Sequence, residues 1–461
     1  MKIRRVMLAA PKSGSGKTML TCALLQTLKD RGEQVISYKC GPDYIDPMFH
    51  KKVIDIPSKN LDTFFTNEEQ TKRRFLSGRT ESEIAVLEGV MGLYDGLGGV
   101  RKEGSSYHLA EVTDTPVILV VDAKGMGKSI LALIAGFLSY DEKKLIKGVL
   151  LNRMSKSYYQ ILKPLIEQEL KIRVVGYFPE YKRFQIESRH LGLKMPEELP
   201  HIKEELKLLS QAFAETVSLD EIMTIAEEAG GLSQPGIEEV KKGTENKDMP
   251  VIAVARDEAF CFYYEDNLQL LEEYGARLSY FSPLHDRTLP QECDGILLGG
   301  GYPELYAEEL GENKTMLSQI REAISDGTPI VAECGGFMYL HEFIQDKENK
   351  KQSMTGVIPA GCHDTGKLVR FGYIEIKEKK ASFLPEGQVI RGHEFHYFDS
   401  TANGDDCVAL KPVSGKKYDC VFDKNSCFVG FPHLYYPSAP QFVENFVKKA
   451  KNYADRSEVN S

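Results

Sequence analysis

The chain has 461 residues, of which 42% are hydrophobic and 27% charged, and this composition is typical of a globular protein of two or three domains. The net charge of −9 excludes a general nucleic-acid binder, because no basic excess is available to displace counterions from phosphates. No apolar stretch approaches the ~20 residues that a membrane span needs, and the first residues resemble no export signal, so we expect a cytoplasmic protein without a membrane partner.

A glycine-rich loop near the start of the chain follows a predicted strand at 6–9 and precedes a predicted helix at 19–28. The loop reads Ala-Pro-Lys-Ser-Gly-Ser-Gly-Lys-Thr at 10–18, a variant with Pro at the usual first glycine. Its glycines let backbone N–H groups converge on phosphate oxygens at a helix N-terminus. The lysine adds a positive charge there, and the threonine hydroxyl can ligate Mg²⁺. The residues predicted to bind the nucleoside triphosphate are Gly14, Gly16, Lys17 and Thr18.

Two further predicted strands, at 35–38 and 84–87, end in acidic turns. Residues 39–47 read Lys-Cys-Gly-Pro-Asp-Tyr-Ile-Asp-Pro, and residues 88–96 read Glu-Gly-Val-Met-Gly-Leu-Tyr-Asp-Gly. Ligands bind at the carboxyl edge of open α/β sheets, and hard cations take oxygen ligands, so these turns favour a Mg²⁺ site. In the first turn, acids that only cap backbone N–H groups are the plainer alternative. The predicted Mg²⁺ ligands are Thr18, Asp43 and Glu88. The residues predicted to face the second substrate are Tyr44, Asp46 and Asp95.

Two more apolar runs, at 116–121 and 148–151, extend a predicted parallel sheet with helices on both sides. Asn152 follows the second run, and its amide matches the donor and acceptor pattern of adenine, although a plain turn residue explains an Asn there equally well. Lys12 either touches phosphate or is solvated. Residues 189–193, Arg-His-Leu-Gly-Leu, either contact an anionic substrate or form a solvated loop.

The composition changes near 229–249, where Gly, Pro and charged residues show no periodic apolar face. This stretch predicts a linker at 231–249 between a nucleotide-binding domain at 1–230 and a second α/β domain at 250–450. More strand character is expected between 355 and 430. The other strands predicted in the second half lie at 251–255, 277–281, 295–298, 329–332 and 427–431.

A cysteine at a predicted strand-to-helix turn is the candidate nucleophile of the second half. Residues 330–338 read Ile-Val-Ala-Glu-Cys-Gly-Gly-Phe-Met, which places Cys334 near helix N–H groups that favour the thiolate. His433 on a later loop is the predicted base, and Gly300 belongs to a glycine loop whose N–H groups bind a substrate oxyanion. A buried structural thiol is the ordinary alternative for one cysteine. Most of the nine cysteines, scattered without CxxC pairs, are predicted to be reduced core residues.

Taken in order, these motifs resemble the cobyrinate a,c-diamide synthase family, glutamine-dependent amidases of corrin biosynthesis. The resemblance covers nearly the whole chain, and 39–47 is its most specific part because the related cobyric acid synthases differ there. It implies an N-terminal P-loop domain, similar to dethiobiotin synthetase, and a C-terminal domain similar to class I glutamine amidotransferases. The matching segments are 10–18, 39–47, 88–96, 189–193 and Arg-Gly-His-Glu-Phe-His-Tyr at 391–397.

Two departures from the family patterns matter. Tyr435 stands where class I amidotransferases usually have a Glu that orients the catalytic His, so the resemblance implies a dyad of Cys334 and His433. Lys12 replaces a small residue of the family's phosphate loop.

The resemblance also implies the chemistry and the partners. Cys334 releases ammonia from glutamine, ATP with Mg²⁺ phosphorylates a substrate carboxylate, and ammonia displaces the phosphate on the a and c side chains of cobyrinate. The same chemistry on hydrogenobyrinate or nickel-sirohydrochlorin is the first alternative. A non-catalytic ATPase of the partitioning type is the second, and it leaves the Cys334 domain without a purpose. The chain is expected to act on its tetrapyrrole either alone or as a homodimer.

Overall fold

The structure is a computed structural model, and it describes residues 2–181, 188–189, 192–193, 201–233, 249–424 and 426–460. It divides into two compact units, Met1–Gly236 and Ile237–Ser461. Most of the predicted linker and the side chains of the motif at 189–193 lie outside the described residues. No helix in the described part of the chain is both long enough and apolar enough to cross a membrane.

The first unit is built on one parallel sheet of seven strands, in the order β3-β2-β4-β1-β5-β6-β7. Its strands are β1 Arg4–Ala9, β2 Val35–Cys40, β3 Ser58–Leu61, β4 Ile84–Glu88, β5 Val117–Asp122, β6 Ile146–Asn152 and β7 Arg173–Phe178. Its helices are α1 Lys17–Asp30, α2 Ile45–Phe49, α3 Glu68–Leu76, α4 Ser106–Val112, α5 Ser129–Tyr140, α6 Lys156–Leu170, α7 Ile202–Thr216 and α8 Leu219–Glu227. A π-helical turn, His50–Ile54, continues α2, and a small antiparallel pair is formed by β8 Ser188–Arg189 and β9 Gly192–Leu193.

This sheet is covered on both faces, which explains why its strands are nearly continuous apolar runs. Alternate residues of β1 belong to two different core clusters, Met7 and Ala9 to one, Val6 and Leu8 to the other. Because the strands are parallel, their carboxyl ends meet at one edge. The turns that follow β1, β2 and β4 therefore lie side by side there.

The second unit has a central sheet of six strands in the order β12-β10-β13-β15-β25-β24, parallel except for β24 at one edge. Its strands are β10 Val251–Ala255, β12 Arg277–Phe281, β13 Gly295–Leu298, β15 Ile330–Glu333, β25 Cys427–Gly430 and β24 Phe422–Lys424. The helices of this unit are α9 Glu265–Glu273, α10 Ala307–Glu312, α11 Lys314–Ser325, α12 Gly335–Tyr339 and α13 Pro440–Asn460.

Three smaller sheets complete the second unit and account for the strand character expected between 355 and 430. A two-stranded pair joins β11 Phe260–Phe262 and β14 Gly300–Gly301. A four-stranded sheet contains β16 His341–Gln345, β17 Lys351–Ser353, β18 Ile358–Asp364 and β21 Phe398–Ser400. A five-stranded sheet contains β19 Arg370–Glu378, β20 Ile390–His396, β22 Cys407–Leu410, β23 Lys417–Cys420 and β26 His433–Leu434. Both units are thus α/β, as the sequence predicts.

Candidate active sites

The glycine-rich loop connects the end of β1 to the start of α1. Gly14 and Gly16 adopt left-handed backbone conformations with φ of 74° and 90°, which side-chain-bearing residues rarely accept. Gly16 is the N-cap of α1 and no side chain caps that helix, so its first N–H groups face the loop. A Cβ atom at Gly16 would also lie 2.3 Å from Asn152 Nδ2. This geometry fits a phosphate cradle.

Lys17 points from the start of α1 toward the turn after β4. Its Nζ donates to the carbonyl oxygens of Met91 at 2.5 Å and Lys12 at 3.5 Å. Burial, reinforced by the nearby Lys39, lowers the pKa of Lys17 to about 8. The Lys12 residue is exposed, and its carbonyl also accepts from Ser15 Oγ at 2.9 Å. Lys12 therefore takes part in the loop through its backbone.

Thr18 and Glu88 come together beneath the loop. Thr18 Oγ1 donates to Glu88 Oε1 at 2.6 Å, and Lys39 Nζ donates to the same oxygen at 2.8 Å. Lys39 also pairs with Asp46 and lies 3.9 Å from Asp43 Oδ2. The ends of β2 and β4 thus gather Lys39 and three acids, as strand ends of a parallel sheet allow.

Asp43 and Asp46 occupy different surroundings within this cluster. Asp43 Oδ1 accepts from the backbone N–H groups of Ile45 at 2.9 Å and Asp46 at 3.1 Å, which caps the turn into α2. Asp46 is 5% exposed and its carboxylate binds the Lys39 ammonium. The capping expected of a plain acidic turn therefore holds for Asp43, whereas Asp46 is a buried ion-pair partner.

The charges of this cluster depend on burial and on Lys39. Burial raises the pKa of Glu88 to about 7 and that of Asp43 to about 6. Burial acts in the same direction on Asp46, but the adjacent ammonium outweighs it and lowers the pKa of that carboxyl. For Lys39 burial acts to lower the pKa, and the acids around it keep that pKa well above the ordinary value. A buried ammonium thus compensates the acids in the site.

Two oxygen donors in this cluster suit Mg²⁺. Glu88 Oε2 is buried without a hydrogen-bond partner among the described residues, and the Thr18 hydroxyl lies against the other oxygen of the same carboxyl. In the described part of the chain, no three His, Cys, Asp or Glu residues gather to hold a metal ion by themselves. These two hard oxygen donors therefore fit a Mg²⁺ that takes its remaining ligands from phosphate and water.

The other residues predicted for this site lie around the same edge. Tyr44 is 9% exposed at the start of α2. Asp95 Oδ2 accepts from the Gly92 N–H at 2.9 Å and so shapes the turn after β4. Asn152 is 2% exposed, donates to the Ser15 carbonyl at 2.8 Å and accepts from the Arg153 N–H at 2.9 Å. Its amide supports the phosphate loop, and contact with a purine stays a prediction.

The second site begins at Cys334, between β15 and α12. The residue has φ 45° and ψ −102°, a strained conformation for a side-chain-bearing residue, and its N–H donates to the Gly430 carbonyl at 2.9 Å. The two following glycines permit the sharp turn. A Cβ atom at Gly336 would lie 2.2 Å from the Leu298 carbonyl oxygen, and one at Gly335 would lie 2.8 Å from a Pro303 side-chain carbon.

His433 lies on β26 beside the glycine strand β14. Its ring stacks on His393 with a centroid separation of 4.9 Å and an angle of 15° between the rings. A Cβ atom at Gly300 would lie 2.4 Å from His433 Cε1, and one at Gly335 would lie 3.1 Å from the Gly301 nitrogen. The strand β14 therefore contacts both the imidazole and the turn that carries Cys334. The predicted base and the predicted glycine loop therefore lie next to one another, close to the turn that carries Cys334.

Burial governs the protonation of this pair. Burial, reinforced by Glu304, raises the pKa of the Cys334 thiol well above its ordinary value, although the Gly335 N–H opposes the shift. Burial, assisted by His396, lowers the pKa of His433 to about 3. The N–H at the start of the helix thus favours the thiolate, but burial outweighs it. At neutral pH, Cys334 is therefore a thiol and the imidazole of His433 is uncharged.

Comparison with known proteins assigns a domain to each half of the chain. Residues 6–193 match the CobQ/CobB/MinD/ParA nucleotide-binding domain, and residues 251–438 match the CobB/CobQ-like glutamine amidotransferase domain. A relative from Caldanaerobacter subterraneus, named cobyrinate a,c-diamide synthase, is 37% identical over 98% of this chain and 99% of its own. A relative of the same name from Fusobacterium nucleatum is 38% identical over 96% of this chain and 99% of its own.

The chain belongs to the cobyrinate a,c-diamide synthase family.

Membership of the cobyrinate a,c-diamide synthase family confirms the resemblance and the class of enzyme, a glutamine-dependent carbon–nitrogen ligase with a P-loop domain. It also rejects the alternative of a non-catalytic partitioning ATPase, because an amidotransferase domain fills the second half of the chain.

Sequence reasoning missed several residues that build the two sites. Lys39 opens the predicted acidic turn at 39–47, yet its position between the acids depends on strands that are distant in sequence. In the second site, Glu333 precedes the nucleophile and its oxygens accept from the Leu434 N–H at 3.3 Å and the Tyr436 hydroxyl at 2.9 Å. The sequence signal that could have identified Glu333 is an acid at the end of an otherwise apolar strand, directly before Cys334.

Proposed function

We propose that this member of the family uses ATP to amidate the a and c carboxylates of cobyrinate with ammonia from glutamine, in cobalamin biosynthesis. The observation that carries the proposal is the pairing of two sites in one chain that aligns end to end with relatives named cobyrinate a,c-diamide synthase. One site is the loop with the Thr18–Glu88 pair, and the other is the Cys334 turn beside His433.

The first half-reaction takes place at Cys334. When glutamine binds, the thiol gives its proton to His433 and the sulfur attacks the side-chain amide carbon. Backbone N–H groups of the glycine strand around Gly300 stabilise the oxyanion. The carbon–nitrogen bond breaks, ammonia leaves with the proton from His433, and water hydrolyses the thioester to release glutamate. Burial lowers the pKa of His433 to about 3, so its imidazole is uncharged before glutamine binds and can accept this proton.

The second half-reaction takes place at the phosphate loop. A substrate carboxylate oxygen attacks the γ-phosphorus of ATP, ADP leaves, and ammonia then displaces phosphate from the acyl-phosphate to give the amide. Lys17 and the N–H groups of the loop bind and orient the phosphates. Thr18 and Glu88 would hold Mg²⁺, which supplies charge neutralisation between the phosphates when bound. Tyr44, Asp46 and Asp95 are proposed to face the tetrapyrrole.

The test is to give purified enzyme ATP and glutamine carrying ¹⁵N in the side-chain amide, with one of three tetrapyrroles. We expect two ¹⁵N amides on cobyrinate by mass spectrometry, with one glutamate and one ADP released per amide. Hydrogenobyrinate and nickel-sirohydrochlorin serve as the competing substrates. A higher kcat/KM on either of them would overturn the proposed substrate, and label-free product would overturn glutamine as the donor.

A further inference from the structure

Class I amidotransferases usually orient the catalytic His with a Glu two residues after it. That position is Tyr435, and its hydroxyl donates to Asp266 Oδ2 on α9 at 2.8 Å. An imidazole that moves by about 1 Å can lose roughly two orders of magnitude in rate, so some other group has to fix the segment that carries it.

Glu333 connects the nucleophile to that segment. It directly precedes Cys334, at the end of β15, and is 6% exposed. One carboxyl oxygen accepts from the Leu434 N–H at 3.3 Å and the other from the Tyr436 hydroxyl at 2.9 Å. Both partners follow His433 closely in the chain. A single buried side chain thus links the residue before the thiol to the residues after the base.

The opposite side of the same segment is fixed independently. Asn267 on α9 donates to the Leu434 carbonyl at 2.9 Å and accepts from the Tyr436 N–H at 2.9 Å. The Tyr435 N–H donates to the Arg391 carbonyl at 2.9 Å. These bonds hold the backbone to neighbouring elements. Of the contacts described, those of Glu333 are the ones that relate this segment directly to the turn that carries Cys334.

We propose that Glu333 and Tyr436 form a clamp that positions His433 relative to Cys334, in place of the acid missing at 435. This inference rests on the proposed role of Cys334 in releasing ammonia. Glu333 and Tyr436 are positioning residues, because their contacts are with the segment around the base. Burial of a carboxyl group is costly unless its oxygens accept hydrogen bonds. The oxygens of Glu333 accept them from the Leu434 N–H and the Tyr436 hydroxyl, so the buried carboxyl favours one position of the segment that follows His433.

The test compares three variants of the full chain. Tyr436→Phe removes the clamp hydroxyl, Glu333→Leu removes the carboxyl, and Tyr435→Phe is the matched control, the same loss of a buried hydroxyl one residue away. For Tyr436→Phe we expect the glutaminase kcat to fall about 10-fold with KM for glutamine changed less than about threefold. For Glu333→Leu we expect a loss of about 100-fold in kcat. The Tyr435→Phe control should stay within about twofold of the unchanged enzyme.

Two further measurements separate a positioning role from a general loss of structure. Synthesis with ammonium salt in place of glutamine should be unchanged in all three variants. Adding Tyr436→Phe to Glu333→Leu should cost nothing more, because the two side chains act as one unit. Equal kcat losses in Tyr435→Phe and Tyr436→Phe, or unchanged kcat in Tyr436→Phe, would overturn the clamp. Should Cys334→Ser retain glutamine-dependent synthesis, the proposed function itself would fail, whatever the clamp variants do.

Discussion

At the scale of single residues, the second site departs from the usual expectation for a cysteine nucleophile. Reactive thiols are commonly ionised at rest by a neighbouring cation or a helix N-terminus. Here burial raises the pKa of Cys334 and lowers that of His433 to about 3, so neither group carries charge near neutral pH.

This protonation state predicts the pH dependence of thiol alkylation in the absence of glutamine. Below its pKa, the thiolate fraction of Cys334 rises about tenfold per pH unit, and the pKa is raised. The rate of inactivation by iodoacetamide should therefore climb without a plateau from pH 6 to about 9, the ordinary range for a free thiol. Inactivation is followed by residual glutaminase activity. A plateau near neutral pH would instead reveal a thiolate–imidazolium pair.

The proximity of Thr18 and Glu88 was predictable from the sequence, but the bonds around them were not. The sequence predicts that Thr18 and Glu88 lie close together because both follow strands of one parallel sheet. In the structure, Thr18 Oγ1 and Glu88 Oε1 are 2.6 Å apart. The position of Lys39 among three acids depends on burial at the strand ends, which a sequence pattern does not contain. The raised pKa of the Cys334 thiol was not predictable either, because the residues that bury it are distant in sequence.

At the scale of elements, close packing explains why glycine is needed in the turn after Cys334. Gly336 follows β15 and its N–H donates to the Gly299 carbonyl at 2.9 Å. A Cβ atom at Gly336 would lie 2.2 Å from the Leu298 carbonyl oxygen, well inside van der Waals contact with backbone that cannot easily move. The turn and the neighbouring strand β13 are therefore packed without room for a methyl group.

Gly336→Ala should destabilise the protein by about 1–3 kcal/mol through this overpacking and should lower glutaminase activity. The matched control is Gly136→Ala in the exposed part of α5, where a Cβ atom would meet nothing within 4 Å. That change should stabilise the helix by roughly 0.5–1 kcal/mol. Scanning calorimetry with glutaminase assays measures both. Similar melting temperatures for the two variants would contradict the packing argument.

Strands were predictable where the polarity of the local sequence matches the burial of the strand in the fold. The strands at 251–255 and 295–298 match the structure because continuous apolar runs suit strands buried on both faces, whereas the strand at 277–281 matches as a more exposed edge strand. Ser58–Leu61 escaped prediction since it is a short, largely polar edge strand. The hairpin-rich region after 340 could only be described as strand-rich, because its many short strands pair across several small sheets.

At the scale of the whole molecule, the residues proposed for the two half-reactions lie in different compact units. Lys17, Thr18 and Glu88 lie in Met1–Gly236, whereas Cys334 and His433 lie in Ile237–Ser461. The order of motifs along the chain was enough to predict this division and the family. The choice of tetrapyrrole was not predictable from the motifs, because they serve activation chemistry that is common to several rings.

The most direct measurement of the central claim compares nitrogen sources in two variants of the full chain. With Cys334→Ser, glutamine-dependent amidation should fall to background, whereas amidation with ammonium salt should remain within about twofold of the unchanged enzyme. With Lys17→Ala, synthesis from both sources should be lost, because the phosphates are no longer bound correctly. If Cys334→Ser lost both activities equally, or kept both, nitrogen release and carboxylate activation would not be divided between the two units.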